Sequence, residues 1–246
     1  MPGLIVFLIL IGATIAIGLA VVTHRTTIAQ WTMAADALGI EINPGSIFSL
    51  PQLNGLVSNQ VVSVHTFQSS SGNNQQRYTR FEVTYPSISL GLELSRQTKV
   101  GGFFRRMVGM QDVEIGDPAF DDAFVVKASD PHRLAVFLTG QRRTTLGRLL
   151  ATYPTMKVTD TSIRVDVRKT IRDPEVLVST VRRLVGVAQI LSDPTDKTDD
   201  ATTARAEGDL TEALRRMREA IDSQPENIDY RLDEIDTLSA AGRAEE

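Results

Sequence analysis

The chain has no cysteine, one tryptophan and three histidines in 246 residues. Without thiols there is no disulfide framework, no thiolate catalysis and no cysteine-based zinc site. His24, His65 and His132 are too far apart in sequence for any two to share a ligand spacing. No H-E-x-x-H, G-x-S-x-G or dinucleotide fingerprint is present, and Val100-Gly101-Gly102 lacks the downstream lysine of a phosphate-binding loop. The carboxylate pairs Asp121/Asp122 and Asp199/Asp200 are adjacent, whereas general acid–base work needs groups converging across a cleft. The expectation is a protein that is not an enzyme and carries no cofactor or catalytic residue.

Charge is missing most conspicuously at the start. The first 23 residues hold no ionisable side chain, and Leu4 to Val22 is an almost unbroken apolar run. At about 1.5 Å per residue these positions reach roughly 28 Å, close to the ~30 Å of a hydrocarbon core. Met1-Pro2-Gly3 lacks the basic residues of a secretory signal and the run is longer than such signals need, so the expectation is an uncleaved single-pass anchor from Leu4 to Val22. Arg25, beside His24, is the nearest flanking cation and favours a cytoplasmic body at a bacterial inner membrane, with a periplasmic body as the alternative. No ionisable residue inside the run suggests an ion path. Gly12, Ala16 and Ala20 recur at spacing four and could let two anchors form a homodimer, although small residues are common in spans.

The net charge of −4 hides an asymmetry: residues 1–192 have 19 Lys+Arg against 14 Asp+Glu, and residues 193–246 have 7 against 16. A basic body on a tether could be drawn to anionic headgroups, but its cations are scattered along the sequence, which favours an ordinary solvated surface. Nucleic acid is not expected as a partner, because the total charge is negative and no binding motif accompanies the basic residues.

After the anchor, Ala29–Leu38 reads as helix ended by Gly39, with Trp31 on the face of Leu38 and expected to pack on the domain rather than lie in the headgroup belt. Residues 40–55 read as loop. Strict alternation then marks strands at Val62/Val64/Thr66, Phe81/Val83/Tyr85 and Leu90/Leu92/Leu94, forming an antiparallel meander whose first hairpin ends in a long polar tip, Gln68–Gln76. Lys99–Met110 sets Phe103 and Phe104 beside Arg105 and Arg106 on a glycine-flanked stretch. It is a possible membrane-surface loop, or else the rings pack at a strand end. Asp130-Pro131 and Asp173-Pro174 each place an acceptor at the N-cap and a proline at the first helical position, opening helices that run to about Tyr153 and Leu191. Between them lies a hairpin, Met156–Thr159 with Ile163–Lys169. The fold class is α+β: an antiparallel sheet covered by helices, preceded by one transmembrane helix and followed by a helical hairpin.

Gly116-Asp117-Pro118-Ala119-Phe120-Asp121-Asp122-Ala123-Phe124-Val125-Val126, followed by Asp130 and a helix with Arg143, Leu146 and Leu149, resembles an uncharacterised family of bacterial membrane-anchored proteins with a D-x-x-F-D-x-x-F-x-V core. The likeness spans roughly residues 112–191 and implies a fold but no chemistry. Asp117, Asp121 and Asp122 lack calcium-loop spacing and are expected to cap the local turn. Gly208, Leu210, Ala213, Met217, Ala220 and Pro225 resemble the turn, packing and closing positions of a tetratricopeptide repeat, implying a hairpin of 209–223 against 228–241. The preceding segment lacks the large apolar residues of a first helix, so a lone pair must find cover on the body or on a partner. The organisation is therefore an anchor (1–25), an α+β domain (26–192), an acidic linker (193–208) and a tetratricopeptide-like hairpin (209–246). Its expected role is a membrane-anchored scaffold or protein-binding module, contacting membrane lipid and a protein held by the hairpin. The alternative is a lipid- or small-ligand-binding domain at the membrane surface.

Overall fold

A computed structural model of the chain describes residues 2–46, 49–71, 74–97, 113–193 and 210–223, with eight further positions between 231 and 242. Helix α1 (Pro2–Leu38) leads into strands β1 (Glu41–Asn43), β2 (Gln52–Val57), β3 (Gln60–Ser71), β4 (Asn74–Thr84) and β5 (Glu93–Arg96). Helix α2 (Pro118–Ala123), strand β6 (Phe124–Lys127), helices α3 (Pro131–Phe137) and α4 (Gly140–Thr152), strands β7 (Lys157–Thr159) and β8 (Ser162–Arg168), and helices α5 (Pro174–Ser192) and α6 (Leu210–Ser223) follow. All eight strands pair antiparallel in one sheet of order β1-β2-β3-β4-β8-β7-β5-β6.

One face of the sheet is buried because alternate strand residues are apolar. Val62, Val64, Phe81, Val83, Ile163 and Val165 point into a single core shared with Trp31 of α1, Leu146 and Leu149 of α4, and Leu177, Val181 and Leu184 of α5. The opposite face carries Ser63, His65, Arg80, Glu82, Arg164 and Asp166 at the intervening positions, half-buried beside one another. The α+β arrangement with helices on one face of an antiparallel sheet is as the alternation and the helix starts indicate. Both Asp-Pro starts behave as expected. Asp130 Oδ1 accepts from the amides of His132 and Arg133 at 3.0 and 3.1 Å, and Asp173 Oδ1 accepts from Glu175 at 2.9 Å.

Four elements differ from the sequence reading. The meander does not continue to the third expected strand: β1 to β4 follow one another, but β5 lies beyond β8 and β7 rather than beside β4. The cause is Asp160, at the turn between β7 and β8, whose carboxylate accepts from the amides of Leu90, Gly91 and Leu92 at 2.7–3.2 Å. This draws the chain across the end of that hairpin. Leu90, Leu92 and Leu94 are all buried, but only Glu93–Arg96 is strand.

Residues 40–55 are not simply loop, since β1 and the first four residues of β2 lie there. Leu53 and Val57 face inward as an alternating pair would, but the inward position between them is Gly55, where a β-carbon would lie 2.6 Å from Cβ of Ile40. The glycine that disguises the pattern is needed for that close approach.

The polar stretch Gln68–Gln76 is not a loose tip either, because β3 and β4 stay paired to Ser71↔Asn74. Finally, the helix expected from Asp130 to Tyr153 is two helices. Thr139 caps α4, its hydroxyl accepting from Arg142 N at 3.4 Å, while Leu138 departs from helical geometry.

Candidate functional site

Among the described residues one helix, α1, is long and apolar enough to cross a membrane. Phe7, Leu10, Ile15, Ile17, Leu19 and Val22 are exposed, and at 100° per residue they cover roughly 200° of its circumference. Among the described residues nothing covers this half, which sets it apart from a core helix. The Thr14 and Thr23 hydroxyls donate to the carbonyls four residues back, at 2.8 Å each, which satisfies them without water. From Thr27 onward the same helix becomes core: Thr27, Trp31, Ala34 and Leu38, at spacings of four, three and four, are buried. No break separates the two halves, and residue 25 lies within continuous helix.

The junction is fixed by a chain of hydrogen bonds. The Trp31 indole donates to Ile171 O at 2.9 Å, Ile171 N donates to Thr79 Oγ1 at 2.9 Å, and Thr79 Oγ1 donates to Lys169 O at 2.8 Å. Thr79 and Trp31 are completely buried. The network joins α1, β4 and the turn between β8 and α5. Further along, Arg182 of α5 donates to Ala37 O at 3.3 Å.

On the open face of the sheet Arg80 makes a bidentate ion pair with Asp166, at 2.7 and 2.8 Å, and stacks over Phe67, which itself stacks on Tyr78 at 5.4 Å. Asp166 holds the Arg80 pKa above its ordinary value. Partial burial, reinforced by the Arg80 charge, lowers that of His65, so this histidine stays neutral near pH 7. Tyr85 is also raised, by burial first and the Asp160 charge second, and its hydroxyl donates to Thr159 O.

The clefts contain few groups free for chemistry. A cleft of about 570 Å³ is lined by Ile88, Leu90, His132, Arg133, Val136 and Arg142 among others. Asp130 at its rim is committed to the α3 cap, and the Arg142 guanidinium donates to Phe137 O, Ile190 O and Asp193 O at 2.8, 3.2 and 2.6 Å. A groove of about 310 Å³ between α2 and α4 contains the Asp117–Arg143 ion pair at 3.0 Å. Asp117 also accepts from Phe120 N, and Asp121 accepts from Ile115 N and Gly116 N at 3.1 Å each. Two of the three acids thus cap the turn, as expected.

Phe103, Phe104, Arg105 and Arg106 lie outside the described residues, as do Gly208 and Pro225 and the side chains of Leu4, Ala16 and Ala220. Of the tetratricopeptide-like positions, Ala213 and Met217 are buried and Leu210 half-buried on α6. Ile221 packs against Ile190 of α5, and Arg218 pairs with Glu234 at 3.2 Å. Thr79, Ile171, Asp160 and Arg142 were not singled out by the sequence. Thr79, Asp160 and Arg142 bind main-chain groups far away in the chain, and Ile171 is held through its own main chain by the distant Trp31 and Thr79, which leaves no local signature.

The chain matches no protein-family model and no curated protein. Among solved structures, the mycobacterial trehalose monomycolate transport factor A, TtfA, shares 10% identity with it. The alignment covers 70% of this chain and 98% of that one, with a TM-score of 0.43. A likeness of that order carries no argument about function.

Proposed function

We propose that this chain is a single-pass, membrane-anchored, non-enzymatic scaffold whose α+β body is held rigidly at the surface of a bacterial inner membrane, on the cytoplasmic side marked by Arg25. The observation that supports it is α1: one helix whose first half is apolar and uncovered and whose last three turns belong to the core of the domain. A helix of this kind transmits the orientation of the span to the body without a hinge. Asp117, Asp130, Arg142 and Arg143 of the described clefts are committed to caps, an ion pair and main-chain carbonyls, which fits a binding role better than catalysis. The acidic C-terminal segment, with α6 touching the body through Ile221, is the part proposed to receive a protein partner.

The test is alkaline extraction of membranes together with the intact mass and a topology reporter after Glu246. The reading requires retention in the membrane, a mature chain still carrying Leu4–Val22, and a cytoplasmic reporter signal. A soluble protein, or one beginning downstream of Val22, refutes it.

A second reading, a small amphipathic ligand in the 570 Å³ cleft, is favoured by the exposed Val136 beside Arg133 and Phe137. Co-purified ligand in native mass spectra, lost on Val136→Asp, would support it.

A further inference from the structure

The strand directions bring distant parts of the sequence to one end of the molecule. β3 and β8 run toward that end, β4 begins there, and the turn after β8 leads into the N-terminus of α5. Trp31 meets Ile171 just before α5, and Ala37 meets Arg182 well inside it, so α1 and α5 point the same way. The apolar half of α1 therefore projects past the N-terminus of α5, at this same end.

Five cations gather here: Arg25 on α1, Arg77 on β4, Arg168 closing β8, and Lys169 and Arg172 in the turn to α5. All five are exposed, and none forms an ion pair among the described residues. On the segments that carry these cations the acids are Asp166, paired with Arg80, and Asp173 and Glu175 in the first turn of α5, where Asp173 serves as its cap; Asp121 and Asp122 of α2 lie at the same end of the sheet but at its β6 edge, three strands from β8. Asp36, Glu41 and Glu93 lie toward the opposite end. The basic residues that look scattered from 25 to 172 in sequence are thus concentrated by the fold. Lys169 is also held at φ 150°, a region non-glycine residues rarely occupy, by the hydrogen bond from Thr79 to its carbonyl.

Beyond this cluster no further strand pairs with the β3–β4 hairpin among the described residues. β2 pairs with β3 only as far as Val64 and β8 with β4 only from Tyr78, leaving a two-stranded ribbon out to Ser71↔Asn74. From Tyr78 to Asn74 this adds about 13 Å. Along α1 the distance from Trp31 to Val22 is about 14 Å, so the ribbon's extension is comparable to the length of helix between the body and the end of the apolar run. Its residues between Gln68 and Gln76 are neutral and polar, with no carboxylate to be repelled by phosphates.

We infer that this end of the sheet docks on anionic lipid headgroups of the membrane that α1 enters, with Arg77, Arg168, Lys169 and Arg172 meeting phosphates and the ribbon lying in the headgroup layer. The inference rests on the anchoring proposed above. It goes further in giving the body a fixed face toward the membrane and a preference for anionic lipid.

The absence of native cysteine allows a unique fluorophore at Ser70→Cys on the ribbon. The full chain is placed in nanodiscs of phosphatidylcholine alone or with phosphatidylglycerol, each with an acceptor on a trace of headgroups. Energy transfer should be about twofold higher in the anionic discs, and the excess should vanish at high salt, where the screening length falls to about 3 Å. It should also vanish when Arg77, Arg168, Lys169 and Arg172 are replaced together by Gln, but not on Lys127→Gln at the far end of β6. Circular dichroism of the quadruple variant verifies its fold, and if that fold is lost the two pairs Arg77/Arg168 and Lys169/Arg172 are replaced separately. A chain that enters both discs with the same transfer, or variants that keep the lipid difference, overturn this inference and leave the anchor intact. A chain that enters neither disc removes both.

Discussion

Trp31 and Thr79 act on the same residue: the indole of one binds the carbonyl of Ile171 and the hydroxyl of the other binds its amide. Through this residue the apolar helix is tied to the middle of the sheet. Trp31→Phe keeps most of the packing and leaves a buried carbonyl without a donor, a loss of about 1–3 kcal/mol. Thr79→Val leaves both Ile171 N and Lys169 O unpaired and should cost more than Trp31→Phe. Chemical denaturation in detergent of the two variants against the parent measures the order; equal stability in all three would refute the network.

Asp160 gathers the amides of residues 90–92, and Gly91 at φ +64° lets them converge. A β-carbon at residue 91 would lie 2.0 Å from Ser129 Oγ, so Gly91→Ala meets both a strained backbone and a clash. Asp160→Ala should destabilise by about 2–4 kcal/mol, since several half-buried amides lose their acceptor. Gly91→Ala should be destabilising by itself and partly rescued by Ser129→Gly, which removes the clash and leaves the strain. Thermal melts of the single and double variants give the coupling; strict additivity would mean that the two positions do not interact.

What could be read from the sequence was what is local. The Asp-Pro caps and the alternating strands at Val62–Val64, Phe81–Val83 and Ile163–Val165 depend on neighbours a few residues away. The placement of β5 depends on Asp160, some 70 residues downstream, and the junction of α1 on contacts between residues 31, 79 and 171. The break at Leu138–Thr139 was hidden because Leu134, Leu138, Leu146 and Leu149 remain on the core through two helices as they would through one. The basic end is the same lesson in charge, its members lying on three separate parts of the chain, at 25, 77 and 168–172.

On α6 the Glu212 carboxylate is held at about pKa 2 by hydrogen bonds from Arg215 and Arg216. A depressed value means that its contribution is complete above the ordinary value of 4.5 and is lost as the pH falls toward 2. Both partners are on the same exposed helix, so the effect on stability is small and local. A carboxyl-carbon titration by NMR should place the Glu212 midpoint well below those of the other glutamates, and Arg215→Gln with Arg216→Gln should return it toward 4.5. A midpoint that stays put in the double variant would show that the arginines are not the cause.

Arg142 decides how the domain ends. Its buried guanidinium donates to Phe137 O at the end of α3 and to Ile190 O and Asp193 O at the end of α5, while its plane lies 4.2 Å from the Phe137 ring. Positive charge at two helix C-termini is favourable, and the planar fork reaches three carbonyls that a lysine ammonium on its flexible stem cannot hold together. Arg142→Lys should therefore be markedly destabilising, and Arg142→Ala should cost at least about 3 kcal/mol. Because Asp193 is the C-cap of α5 and Ile221 rests on Ile190, either substitution should also loosen the C-terminal segment before the body unfolds. Limited proteolysis under native conditions should then cut the variants faster in 194–209 than the parent, with hydrogen exchange in the sheet unchanged at early times. Equal cutting rates would mean that the C-terminal segment is held independently of Arg142.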